Sequence, residues 1–182
     1  MSGSTRVALL ACSSPGEPAG RWLNYAARRL MAELTEPALP GVEARLFEMD
    51  PERPDEATEA VAEFAPDLLG CSAYLWSFAP LLEAAAEVER RHPDTTVVFG
   101  GPSARAAMFE LEPHRGAASC VDALVVGEGE RTFRAMAASK SRDLASFATL
   151  PGVAVRTPNG FSEPRFAGVA DVDSLVSPYR AG

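Results

Sequence analysis

Hydrophobic and polar positions change period repeatedly along the first 138 residues. Short apolar runs, typical of strands buried on both faces of a sheet, occur at residues 5–11, 67–73, 95–99 and 120–126. Residues 42–49 alternate between polar and apolar and predict a less buried strand. Stretches with apolar residues at helical spacing lie between the strands and predict helices at residues 21–34, 55–64, 78–91, 103–109 and about 127–138.

Five strand–helix units in succession predict an α/β fold, because parallel strands need crossover helices on the faces of their sheet. The number of units and the polar second strand favour a doubly wound, five-stranded parallel sheet with strand order 2-1-3-4-5.

The pattern changes after Ser139. Residues 151–156 predict a strand, Pro158-Asn159-Gly160 a hairpin turn, and residues 161–164 its partner strand. Residues 166–182 have no periodicity and read as a linker. We therefore expect a domain at residues 1–140, followed by a hairpin and linker at residues 141–182.

Composition excludes several classes of function. Apolar residues make up 47% of the chain and charged residues 23%, and the net charge is −8. An acidic surface argues against nucleic-acid and anionic membrane partners. No apolar stretch approaches the roughly 20 residues of a transmembrane helix. Cys12, Cys71 and Cys120 lie far apart and form no CxxC motif, so we expect no metal site and a reducing, cytoplasmic location.

Ligands of open parallel sheets bind at the carboxyl ends of the strands. The loops predicted there are rich in Gly, Ser and aromatic residues, and they hold neither a Ser/His/Asp set nor a Cys/His pair. His92 and His114 lie in segments expected to be exposed. The sequence therefore predicts a binding module, with no catalytic residue and no metal ligand of its own.

Two glycine motifs follow predicted strands. Gly100-Gly101 suits a tight turn or a place where backbone approaches a ligand closely. Gly127-Glu128-Gly129-Glu130 matches no phosphate loop, and its carboxylates would repel phosphate. We expect both glutamates in the first turn of a helix, where the helix dipole favours them.

The loop after the third strand, Ser72-Ala73-Tyr74-Leu75-Trp76-Ser77-Phe78, contains three aromatic residues in seven. Such a loop either packs into the core or lines a pocket for a large flat ligand. The residues alone leave both possibilities open.

Taken together, DLLGCSAYLWSF, TTVVFGGPSA, VDALVVGEGERTFRAM and DVDSLVSPYRAG resemble the cobalamin-binding domain of cobalamin-dependent radical S-adenosylmethionine (SAM) enzymes. The resemblance covers about residues 5–182. It implies a flavodoxin-like sheet that holds cobalamin (vitamin B12), with the dimethylbenzimidazole tail inside the domain. The closing motif is similar to the linker into the radical SAM barrel, which is the expected partner domain in the same parent chain.

The resemblance also implies cofactor-binding positions. Ser72 and Leu75 correspond to the loop that meets corrin and tail, Gly100-Gly101 to the passage of the tail, and Gly127, Glu128 and Gly129 to the next wall. The neighbouring candidates in these loops and in the loop after the first strand are Ser14, Tyr74, Trp76, Ser77 and Pro102.

Two motifs of related proteins are absent from this sequence. The place of the D-x-H-x-x-G motif, whose histidine ligates cobalt, reads Cys12-Ser13-Ser14-Pro15-Gly16-Glu17. The CxxxCxxC motif that holds a [4Fe-4S] cluster is absent, so the cluster and SAM are expected in the missing part of the parent enzyme. Without the histidine, Trp76 is a candidate to cover the lower face of cobalt, with Tyr74 and Phe78 as rivals.

The favoured hypothesis is the cofactor domain of a methyltransferase that passes a methyl group from methylcobalamin to a substrate carbon. Antibiotic biosynthesis, with a carbapenem-type C-methylase as parent, is the narrower expectation, and a ring-forming or ring-contracting cobalamin radical SAM enzyme is the alternative parent. A flavodoxin-like flavin-binding or interaction module without cobalamin is the alternative of another class. A receiver domain is disfavoured because its acidic cluster is missing.

Overall fold

A mixed sheet forms the centre of the chain in the computed structural model, which describes residues 4–14, 16, 24–112, 114–139, 141–166, 168 and 171–179. Its parallel part consists of β1 (Thr5–Cys12), β2 (Val42–Met49), β3 (Leu68–Ser72), β4 (Thr96–Gly100) and β5 (Ala123–Val125). These strands lie in the order β2-β1-β3-β4-β5, as predicted. All five residues of β3 are buried, as expected for a central strand with helices on both sides.

The prediction of a five-stranded sheet is wrong, because the C-terminal hairpin extends it to seven strands. β6 (Val153–Thr157) pairs antiparallel with β5, and β7 (Gly160–Phe161) pairs with β6. Without β6, the edge of β5 would leave unpaired N–H and C=O groups. Asp122 strengthens this end of the sheet: its carboxylate accepts hydrogen bonds from Arg156 Nη2 at 2.8 Å and from Val97 N at 2.9 Å.

Helices cover both faces of the sheet. One buried cluster unites the strands with α2 (Pro54–Phe64) and α3 (Phe78–Arg91). The other unites them with α1 (Tyr25–Thr35), α4 (Glu130–Ala138) and α5 (Leu144–Phe147). The described helices include none that is long and apolar enough to cross a membrane.

Local sequence explains where α1 and α2 begin. Asn24 caps α1 by accepting a hydrogen bond from Ala27 N at 3.1 Å. The predicted start of this helix at Arg21 lies outside the described residues. Pro54 begins α2, where its missing N–H costs nothing, and Asp55 and Glu56 follow in the first turn.

Two predictions of local structure differ from the fold, and two short elements were not predicted. The helix predicted at residues 103–109 is a 3₁₀ turn at Ala106–Glu110, and the fifth strand is shorter than predicted because Ala117–Cys120 forms another 3₁₀ turn. Helix α5 and a 3₁₀ turn at Val172–Ser174 were not predicted. Helix α5 has only four residues, too few to show a helical period in the sequence.

Phe147 of α5 tests whether the segment after residue 140 is part of the same cooperative core. Its side chain is fully buried beside β6, so Phe147→Ala should lower the free energy of unfolding by about 3–5 kcal/mol. Phe166→Ala is the matched control, because Phe166 is 89% exposed and its loss should cost less than about 0.5 kcal/mol. Urea denaturation followed by circular dichroism measures both changes. Equal midpoints for the two variants would show that α5 folds apart from the sheet.

Candidate functional site

A groove opens at the carboxyl ends of the central strands, between α1 and α4. Its volume is about 240 Å³. This is below the roughly 300–1,000 Å³ of pockets that enclose a drug-sized ligand, so the groove suits a flat fragment rather than a whole corrin. The groove is lined by Leu9, Ala26, Leu30, Gly70, Cys71, Ser72, Val98, Gly100, Gly101, Val125, Gly127, Glu128, Gly129, Glu130 and Phe133.

Strand register assembles the floor of the groove. Leu9 pairs with Gly70, and Gly70 pairs with Val98, so these three residues form one row on the same face of the sheet. Two residues further along the strands, Ser72 pairs with Gly100, and Gly100 pairs with Val125. The upper row thus places one hydroxyl in an otherwise apolar floor.

Gly100 leaves space in the upper row. A Cβ at this position would meet nothing closer than Val125 Cβ at 3.9 Å. A side chain is therefore sterically possible at Gly100, and it would occupy the groove.

Glycine is required at position 101 by the backbone conformation and not by the groove. Its φ is +100°, and a Cβ would lie 2.8 Å from the carbonyl oxygen of Ala73. The same loop is held by hydrogen bonds from Ala73 N to Gly100 O at 2.7 Å and from Ser103 N to Ala73 O at 3.1 Å. Glycine at position 101 is therefore required by the turn, whatever binds beside it.

The turn before α4 forms a second wall. Gly127 has a φ of +94°, and a Cβ there would meet nothing within 4 Å. Glu130 lies in the first turn of α4 as predicted, and its Oε1 lies 3.3 Å from Arg29 Nε on α1. Glu128 precedes Gly129, the N-cap residue, so the expectation that both glutamates lie in the first turn is wrong for Glu128. The helix begins at Glu130 and not near residue 127 as predicted, which accounts for the difference.

Residues 74–77, called the aromatic loop from here on, do not line the groove. Leu75 is 74% exposed and Trp76 is 44% exposed, while the Tyr74 and Trp76 rings stack with centroids 4.8 Å apart. Ser77 is fully buried and closes the loop: its Oγ accepts a hydrogen bond from Tyr74 N at 2.9 Å and donates one to Tyr74 O at 3.3 Å. Phe78, by contrast, is a core residue that packs against Phe99.

Ser13, Ser14 and Gly16, the described residues that directly follow β1, carry no charged side chain. Ser14 is partly buried and does not line the groove. Burial, together with the negative charge of Asp50, raises the pKa of the Cys12 thiol to about 11. Cys12 is therefore protonated at neutral pH, and a protonated thiol is a poor metal ligand.

The histidines take part in packing. His92 Nε2 lies 2.8 Å from the carbonyl oxygen of Ala62, and the ring of His114 packs on Phe78 with centroids 4.9 Å apart. Neither residue lines the groove. Within the described part of the chain, no group of three or more His, Cys, Asp or Glu residues is arranged to hold a metal ion.

Six of the twelve candidate residues line the groove: Ser72, Gly100, Gly101, Gly127, Glu128 and Gly129. The other six lie outside it, and these are Ser14, Tyr74, Leu75, Trp76, Ser77 and Pro102. Sequence reasoning missed Gly70, Phe133 and the apolar residues of the floor. A glycine in the middle of a buried strand was the available signal for Gly70, because such a glycine marks a close approach of another group.

A parallel sheet with a largely apolar groove at its carboxyl edge defines an α/β module that binds a small molecule. The comparison with protein families specifies the class further. Residues 10–137 match the B12 binding domain family, so the chain belongs to that family. Cobalamin is accordingly its cofactor class, as the sequence predicted.

Two curated relatives are methyltransferases by name, and one of them is named a cobalamin-dependent radical SAM enzyme. The chain is 36% identical over 131 residues to "Cobalamin-dependent radical SAM methyltransferase TokK" of Streptomyces tokunonensis, a match that covers 70% of this chain and 18% of the relative. It is 37% identical over 94 residues to "2-(S-pantetheinyl)-carbapenam-3-carboxylate methyltransferase" of Streptantibioticus cattleyicolor, covering 50% of this chain and 13% of the relative. The matches thus span less than a fifth of the length of either relative.

The fold also has a counterpart among solved structures. The cobalamin-dependent SAM radical enzyme OxsB, with aqua-cobalamin and SAM bound, superposes with a TM-score of 0.69. The match covers 95% of this chain and 24% of OxsB at 15% identity, which establishes a shared fold.

The two neighbouring glycines of β4 and its turn should respond differently to alanine. Gly101→Ala forces a Cβ against the Ala73 carbonyl at a positive φ, so it should lower the free energy of unfolding by about 1–3 kcal/mol. Gly100→Ala should change stability by less than about 0.5 kcal/mol, because space exists for its methyl group. Thermal and urea unfolding measure both variants. If Gly100→Ala proved the more damaging change, the assignment of the open position would be wrong.

Proposed function

We propose that this chain is the cobalamin-holding domain of a radical SAM methyltransferase. The observation that carries the proposal is the groove, whose floor combines bare backbone at Gly100, apolar side chains and the single hydroxyl of Ser72. These features fit the flat, largely apolar nucleotide base of cobalamin, since a Cβ at Gly100 would fill the space that the base needs.

The proposal divides the cofactor between two surfaces. The groove holds the base of the tail, and the Ser72 hydroxyl is available to donate a hydrogen bond to a ring nitrogen of the base. The corrin, too large for the groove, lies outside it against Leu75 and Trp76. Exposure of these two apolar side chains beside the groove supports this division.

When bound, cobalamin supplies a methyl group carried on cobalt, and the organometallic chemistry belongs to the cofactor. The chain's own residues bind and orient the cofactor, and they exclude water from it. Residues 13–24, between β1 and α1, contain no histidine, so this segment provides no imidazole for the lower face of cobalt. Trp76 would cover that face and exclude water from it without ligating the metal, because an indole has an N–H donor and no lone pair for a metal.

The aromatic loop is built to keep its shape while presenting Trp76. The buried Ser77 hydroxyl locks the turn, and stacking on Tyr74 restricts the indole. Ser77 and Tyr74 are therefore positioning residues in the proposal, and Trp76 makes the contact.

The radical SAM part of the parent enzyme supplies the [4Fe-4S] cluster, SAM and the small-molecule substrate site. The greater length of the named relatives supports this assignment. Residues 141–182 lead toward the radical SAM domain in this proposal, with α5, β6 and β7 packed as part of the cobalamin-holding domain because β6 pairs with β5 and Phe147 lies in the same buried cluster as the strands. The C-terminal segment supports this arrangement, because Val176 N donates to Glu33 Oε1 on α1 at 2.8 Å and Arg131 on α4 donates to Ser174. The segment thus follows the two helices that wall the groove.

The narrower substrate proposal is C-methylation of a natural product, with a carbapenem precursor as the first compound to test. It rests on the names of the two relatives, one of which is a carbapenam-3-carboxylate methyltransferase.

Reconstitution tests the cobalamin proposal directly. After incubation with hydroxocobalamin and desalting, the chain should retain about one corrin per molecule by visible absorbance, and it should retain no flavin mononucleotide in a parallel sample. Gly100→Val should weaken cobalamin binding about tenfold or more while circular dichroism stays unchanged, because the added side chain fills the groove.

Gly168→Val is the matched control for that substitution, since a Cβ at Gly168 meets nothing within 4 Å and the residue does not line the groove. Retention of flavin in place of corrin would support the alternative flavin module and refute the proposal. No methyl transfer is expected from this chain with SAM alone.

Electron paramagnetic resonance tests the role of Trp76. The chain loaded with cob(II)alamin should show no nitrogen superhyperfine splitting, and Trp76→His should introduce it by placing an imidazole below cobalt. Leu75→His is the control, because the neighbouring position should not reach the metal. Nitrogen coupling in the unmodified chain would mean that another base occupies the lower face.

A further inference from the structure

Phe133 closes one end of the groove by resting on bare backbone. A Cβ built on Gly70 would lie 2.6 Å from Phe133 Cζ and 2.7 Å from Phe133 Cε2. Both distances are shorter than carbon atoms can approach, so the ring occupies the space that any other residue at position 70 would fill. Glycine at the centre of β3 and phenylalanine on α4 are therefore fitted to each other.

The position of the Phe133 ring is fixed from two sides. Its side chain is 4% exposed and belongs to the buried cluster that contains Leu9, Val98 and Met136. Its backbone N donates to Gly129 O at 2.7 Å, in the first turn of α4. A ring held in this way sets how far a flat ligand can enter the groove from the side of Ser72 and Gly100.

The end of the groove beside Phe133, here called the inner end, is lined by different side chains from the end at the carboxyl edge of the sheet. Leu9, Val98 and the Phe133 ring surround Gly70 without a polar side chain, whereas Ser72, Glu128 and Glu130 lie toward the carboxyl edge. A base edge that carries methyl groups gains from this apolar surface. An edge that carries an amino group would lose its hydrogen bonds to water without replacing them.

We propose that the Gly70–Phe133 contact is the specificity determinant for the nucleotide base of the corrinoid. It keeps the inner end of the groove apolar and closed to water, so the groove accepts dimethylbenzimidazole and disfavours a purine such as adenine, whose amino group would lose its hydrogen bonds to water there. This inference rests on the proposed placement of the tail in the groove.

Equilibrium dialysis against three corrinoids tests the inference on the full chain. The probes are cobalamin, its analogue with adenine as lower base, and cobinamide, which has no nucleotide tail. The unmodified chain should bind cobalamin about tenfold or more tightly than the adenine analogue. Phe133→Leu opens the inner end to water, which can then hydrogen-bond the amino group of adenine, so it should reduce this preference to about threefold or less, with cobinamide affinity unchanged.

Gly70→Ala supplies the complementary change. Its methyl group pushes the Phe133 ring into the groove, so cobalamin affinity should fall about tenfold while cobinamide affinity stays the same. In the Phe133→Leu background the same Gly70→Ala change should cost about threefold or less, because the clashing ring is gone. The double variant also keeps the test decisive if Gly70→Ala alone fails to fold.

Phe147→Leu is the control for general loosening of this core, since Phe147 is in the same buried cluster and does not line the groove. It should leave the preference between bases unchanged. A preference that survives Phe133→Leu, or one that Phe147→Leu reduces equally, would overturn the inference while leaving cobalamin binding intact. Equal binding of cobalamin and cobinamide by the unmodified chain would overturn the placement of the tail, and binding of no corrinoid would overturn the proposed function as well.

Discussion

The parallel register of β1, β3 and β4 is the constraint on which the site depends. It aligns Leu9, Gly70 and Val98 in one row and Ser72, Gly100 and Val125 in the next where β5 joins. Protein interiors are packed as densely as organic crystals, so a groove between sheet and helices exists only where side chains are missing. Gly100 provides such a place at the edge of the sheet, and Gly70 provides another that Phe133 fills.

The two faces of the sheet divide structural and binding roles. On one face, α2 and α3 seal a cluster in which Phe78 packs on Phe99 and Phe109 at centroid distances of 5.7 and 5.4 Å. Phe78 directly follows the aromatic loop, so its burial in this cluster fixes the C-terminal end of that loop. On the other face, α1 and α4 leave the groove between them. The arrangement places a fixed loop with exposed Leu75 and Trp76 beside a preformed groove.

The antiparallel addition of β6 also bears on the site. Val126 N, at the end of β5, donates to Gly152 O at 2.8 Å, and the Thr132 hydroxyl on α4 donates to Pro151 O at 3.0 Å. The Gly127–Gly129 wall lies between these two anchors. The C-terminal hairpin therefore supports the wall of the groove as well as covering the edge of the sheet.

Local sequence determined the strand–helix alternation and the loops that follow the strands, because both follow from apolar runs, helical spacing and Gly or Pro positions within a few residues. The order of the parallel strands was predicted from the number of strand–helix units and the polar second strand, and the observed pairing of the strands agrees with it. Local sequence also located six residues of the groove and, through the resemblance of spaced motifs, the cofactor class. Only the tertiary structure decided that Gly101 is needed by its turn and Gly100 borders open space, since the two glycines are adjacent and differ in φ and in what surrounds them. Only the tertiary structure likewise decided the contact of Phe133 with Gly70 and the pairing of β6 with β5, because both join residues far apart in the chain. No local pattern specifies which side chain fills the space that a distant glycine leaves.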